Sequence, residues 1–247
     1  VVLQHGFCRN HRFWTGWVPY LARRHRVLRP DLPGCGDSGH LSAVGLDLTT
    51  LADLLGDTLA ATTDRPVHYV GESLGGILGV VLAATRPELV ASLSLVSTPL
   101  WVDPMVGTTQ ALGEASWSDA IRRYGMHDWW LASRTRMRHT SGTERPSDAW
   151  MAEQVRDVAV DTAVALVAII ESADVRALAA EVRVPVTVLV PEGSKYANRA
   201  SQRGYYDAFP THTVRTVAGA NHEMYLENVD VVAPMVAGFM DEVDGRC

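Results

Sequence analysis

The 247-residue chain has a formal net charge of −6, with 47% hydrophobic and 20% charged residues, a balance that suits a globular unit with a large core. The negative charge and the absence of any basic run exclude a nucleic-acid binder, and no apolar run reaches the ~18 residues of a membrane span. Three cysteines with no C-x-x-C pair argue against a disulfide scaffold or a metal cluster and favour a reducing, cytoplasmic compartment.

The first residues, 1–3, form an apolar run that predicts a strand leading into His5-Gly6-Phe7, with no basic leader before it. A chain that opens inside a strand also raises the expectation of further residues ahead of Val1. A second strand is predicted at 27–29, followed by Asp31-Leu32-Pro33-Gly34-Cys35-Gly36-Asp37-Ser38, an ordered turn read as scaffold. Leu51, Leu54, Leu55 and Leu59 share one helical face, with Thr49 or Thr50 as the expected N-cap.

Residues 67–70 predict a third strand and 74–86 a helix stopped by Pro87. Between them lies Gly71-Glu72-Ser73-Leu74-Gly75, a G-x-S-x-G sequence in a strand-turn-helix setting. Such a turn exposes a serine hydroxyl at a sheet's carboxyl edge, and the following helix directs its positive end at that oxygen. Ser73 is therefore the expected nucleophile. The backbone N–H of Leu74, and that of Phe7 in the loop after the first strand, are the expected oxyanion donors. His5 is read as a residue that holds its loop by hydrogen bonds.

A strand at 93–96 precedes a segment, 100–180, that has helical periodicity and no clear strand. It contains Trp101, Trp117, Trp129, Trp130 and Trp150, five of the seven tryptophans. These features predict a helical cap (100–180) on a core made of 1–99 and 181–247, with Trp101, Trp129 and Trp130 as substrate-contacting residues. Strands follow at 186–190 and 213–217. The loop Gly219-Ala220-Asn221-His222 comes next, and then a helix at 229–243 that contains Pro234, a residue able to kink it. A histidine between the last strand and the last helix lies where loops converge on the serine, so His222 is the expected general base. His68 is expected to be packed or at the rim, and His127 and His139 to line a pocket or lie exposed.

Strands alternating with helices predict an α/β protein, with a mostly parallel sheet covered by helices on both faces. The order of HG, D-x-P-G-x-G-x-S, G-x-S-x-G and a late histidine resembles the α/β-hydrolase superfamily over nearly the whole chain. Its helical insertion and residues 165–190 are similar to the enol-lactonase and small-ester hydrolase branch. The resemblance implies a Ser-His-acid triad, with the acid in a G-x-x-D pattern after the strand that ends at Val190. This chain has Ser194 at that station, and the alternative station after the preceding strand reads Ser97-Thr98-Pro99. Glu192, two residues away and longer, is the expected acid. Asp103 and a true absence of the acid are the alternatives.

The predicted activity is acyl-enzyme cleavage of a carboxylic ester or lactone on a small, apolar or aromatic substrate, by a monomer or homodimer that needs no metal and no cofactor. A C–C bond hydrolase, lyase or cyclase on the same fold is the second reading. A non-catalytic small-molecule binder is the third.

Overall fold

Valine-rich runs that can bury both faces become the strands of one all-parallel sheet, a pattern expected where helices cover both sides. The computed structural model describes residues 1–40, 45–138, 146–194 and 199–246. The sheet runs β1 (Val2–Gln4), β2 (Val67–Glu72), β3 (Val90–Val96), β4 (Val186–Pro191) and β5 (His212–Val217), in that spatial order. Tyr69 pairs with Val2 on one side and Leu93 on the other, so β2 is a central strand.

The strand expected at 27–29 shrinks to a single parallel bridge between Leu28 and Val2, with Leu28 N–H bonded to the Val1 carbonyl at 2.8 Å. Pro30 follows at once and has no N–H to extend the ladder. In the other direction, β3 begins three residues before the predicted 93.

Before β2 come α1 (Val18–Leu21) and α2 (Leu48–Thr62), and after it α3 (Leu74–Thr85). The cap of α2 is Asp47 rather than either threonine: its carboxylate accepts the Thr50 N–H at 2.7 Å, which a shorter hydroxyl inside the helix cannot do. Between β3 and β4 lie α4 (Met105–Gln110), α5 (Trp117–Arg138), α6 (Pro146–Val155), α7 (Val160–Ser172) and α8 (Arg176–Ala179). After β4 come α9 (Arg199–Tyr206), α10 (Met224–Glu227) and α11 (Val229–Val243), the last continuing through Pro234. No described helix is long and apolar enough to cross a membrane.

Helix α3 is buried along almost its whole length, because small residues let it lie against the sheet. A Cβ on Gly75 would come within 2.4 Å of the Gln4 carbonyl oxygen and 2.6 Å of that of His5. Both are backbone atoms that cannot swing aside. Gly75→Ala is expected to lower stability by about 2–3 kcal/mol, through forced separation of α3 from β1, as measured by denaturant unfolding.

Candidate active site

Ser73 caps α3 with φ 51° and ψ −119°, a left-handed conformation that a side chain adopts only under strain. The turn is held by Ser73 N–H donating to the Val96 carbonyl, and by the Ser73 carbonyl accepting Gly76 and Ile77 N–H. Cys8 and Ser97 also have φ near 50° just past β1 and β3, so several chain reversals crowd the sheet's carboxyl edge. This packing pushes the serine out of the strand line and over that edge.

His5 is buried and bonds both ways: Nδ1 to the Gly6 carbonyl at 2.8 Å, and Nε2 as acceptor of the Leu32 N–H at 3.0 Å. Burial lowers its pKa, which keeps the ring neutral as this pairing requires. Asp31 accepts the His11 and Asp37 amides and bonds the His11 ring, so the 31–38 turn is the scaffold that the sequence suggested.

Ser73, Leu74, Phe7 and His222 line one cavity of about 610 Å³, including its open mouth. Leu74 is the first residue of α3, where backbone N–H groups have no intrahelical acceptor. Trp117, Trp129 and Trp130 line the same cavity from α5. Phe7 packs edge-on against Trp117 and Trp129 with ring centroids 5.1 and 5.8 Å apart, which ties the loop after β1 to the helical segment.

Trp101, expected among the substrate-contacting residues, lies elsewhere. It forms an antiparallel bridge with Asp174, and the Arg176 guanidinium covers its ring at 5.3 Å. Pro99 and Val102, on either side of it in sequence, line the cavity, while the Trp101 ring lies under Arg176 instead. Trp150 packs on Phe13 and is partly exposed.

Among the described residues, Arg9, Arg134, Glu72 and Glu223 form a buried charged cluster at the histidine. Arg9 Nη1 donates to both oxygens of Glu72, at 3.0 and 2.8 Å, and the Gly6 N–H adds a third bond to that carboxylate at 3.1 Å. Arg9 Nη2 reaches Glu223 Oε1 at 3.3 Å, and Arg134 from α5 donates to the same oxygen. Burial by itself would raise the Glu223 carboxyl. The Arg134 guanidinium, with His222 and Arg9, overrides burial and holds it at about 2. His222 Nε2 lies 3.3 Å from Glu72 Oε1.

Glu72 did not figure in the sequence reading. Its signal was a carboxylate ending the buried Val67–Glu72 strand at a central sheet position, which requires a buried partner such as Arg9.

Glu192, the expected acid, is exposed and accepts the Gly219 N–H at 3.0 Å, on the loop that carries His222. Asp103 is exposed and accepts the Met105 N–H at 2.9 Å. Ser194 follows Gly193, whose N–H bonds the Ala220 carbonyl, so its loop adjoins the histidine loop. His68 is buried between Ser92 and Asp244, and His127 pairs with Asp128 and Glu153. His139 lies outside the described residues.

A 117-residue stretch, 47% of this chain, is 37% identical to the pimeloyl-[acyl-carrier protein] methyl ester esterase of Methylococcus capsulatus and covers 40% of that protein. A 98-residue stretch, 40% of this chain, is 35% identical to the putative carbamate hydrolase RutD of Yersinia enterocolitica and covers 35% of it. The chain thus spans less than half the length of these curated relatives. Among solved structures, MenH from S. aureus superposes with a TM-score of 0.82 at 18% identity, over 98% of this chain and 93% of that one. The enol-lactonase from Burkholderia xenovorans superposes with a TM-score of 0.77 at 21% identity, over 97% and 90%. Residues 1–229 match the alpha/beta hydrolase fold family, and the chain belongs to it.

Proposed function

We propose that the protein is a serine hydrolase that cleaves a carboxylic ester or lactone of a small, apolar or aromatic substrate through an acyl-enzyme. The observation that carries this reading is the strained Ser73 lining one cavity with His222, Leu74 and Phe7. Ser73 Oγ attacks the carbonyl carbon and gives its proton to His222, while the Leu74 and Phe7 N–H groups hold the developing oxyanion. The C–O bond then breaks, and His222 protonates the departing alkoxide. Water attacks the acyl-enzyme, loses a proton to His222 and releases the acid, and that proton returns to Ser73. Curated relatives named as a methyl ester esterase and a carbamate hydrolase support acyl transfer as the reaction class. Glu192 supports the base by fastening the His222 loop through Gly219.

The aromatic wall supports the substrate class. Trp117 is stacked on Trp129 with centroids 5.8 Å apart and faces the cavity, so an aromatic acyl group would meet a flat apolar surface. Trp117→Leu is expected to raise KM for an aryl-acyl ester about tenfold and leave kcat within about threefold, as uniform binding is lost. An equal change for acetyl and aryl-acyl esters would remove the aromatic preference. A fluorophosphonate probe tests the core of the reading: it should label Ser73 in the native chain and nothing in Ser73→Ala.

A further inference from the structure

Within that hydrolase reading, we propose that Glu72, the residue immediately before the nucleophile, is the carboxylate that positions His222 and balances the charge it acquires. Glu72 Oε1 lies 3.3 Å from His222 Nε2, its side chain is fully buried, and it is fixed by Gly6 and Arg9 so that it cannot turn away. The stations where the fold's resemblance places an acid hold Ser194 and Ser97.

The charges around the ring make the argument quantitative in sign. Among the described residues these are Arg9 from the loop after β1, Arg134 from α5, Glu72 from the end of β2, and Glu223 beside the histidine. Two arginines and two glutamates sum to zero, so an imidazolium forms in a neutral surround with two carboxylates near it. Without Glu72 the surround carries one net positive charge before the ring is protonated, and proton transfer from Ser73 becomes harder. Glu72 acts only through His222, since it is not among the residues lining the cavity.

Four measurements on the full chain test this. Glu72→Gln is expected to lower kcat for a chromogenic aryl ester roughly 10²-fold and to move the acid limb of the rate profile to lower pH, a displacement that a purely structural defect does not cause. Arg9→Gln/Glu72→Gln restores a neutral surround but leaves His222 without its positioning carboxylate, so it is expected to keep most of the kcat loss. Ser194→Asp in the Glu72→Gln background is expected to recover at least tenfold. NMR titration of the His222 ring in the native chain and in Glu72→Gln reads the coupling without any substrate. A fall in the midpoint supports the assignment even if no ester is turned over, so it separates this inference from the hydrolase reading. The assignment is overturned if Glu72→Gln keeps kcat within threefold with the titration midpoint unmoved. It is equally overturned if Glu192→Gln, and not Glu72→Gln, displaces the acid limb.

Discussion

Ser73→Ala is expected to lower ester or lactone turnover by a factor on the order of 10⁴ to 10⁶ while the unfolding midpoint stays within a few degrees of the native value. The loss is this large because the hydroxyl is the atom that forms the covalent bond, and no neighbouring side chain can take its place at the mouth of α3. The serine is also held at φ 51°, so the substitution removes chemistry without relaxing the turn. Steady-state kinetics with a chromogenic ester, together with circular dichroism, checks both halves of the expectation. Retention of activity within a few-fold would remove the acyl-enzyme and favour a lyase-type reaction that uses His222 alone.

The second large effect concerns the buried ions joining α5 to the histidine loop. Arg134 and Arg9 converge on Glu223, whose carboxyl is held at about 2 against an ordinary 4.5. A carboxyl with a depressed folded-state pKa contributes stability that is fully present above its ordinary value and is lost as pH falls through the folded one. The window is therefore from about 4.5 down to about 2, and the contribution is on the order of 3 kcal/mol. Urea unfolding at pH 7, 4 and 2.5 should show the native chain losing stability across this range more steeply than Glu223→Gln, which lacks the titrating group. Parallel curves would deny Glu223 this role. Arg134→Met is expected to cost about 3–5 kcal/mol at pH 7, because one arginine fewer leaves the buried carboxylate pair undercompensated.

The α/β class, most of the strands along the chain and the turn that carries Ser73 were legible because each rests on local rules. A valine-rich run bounded by turn residues favours a strand, and G-x-S-x-G between a strand and a helix defines its own turn. Errors arose where a local pattern competed with a neighbour. The 27–29 strand gave way to Pro30, and the cap of α2 moved to Asp47. Trp101 counted as a pocket residue because the sequence shows which residues are aromatic but not which way a loop turns.

The chain's own pattern determined that a serine would stand at the carboxyl edge of a parallel sheet, with a histidine in a late loop near it. Which carboxylate meets that histidine was decided only in three dimensions. Glu72 and His222 are 150 positions apart by number, and Arg9 and Arg134, which make a buried Glu72–Glu223 pair tolerable, come from a β-edge loop and a helix far along the chain. Spacing in sequence reports backbone geometry over a few residues. An ion pair in a dry interior depends on which distant groups folding brings within about 4 Å, where loss of hydration makes each neighbouring charge count.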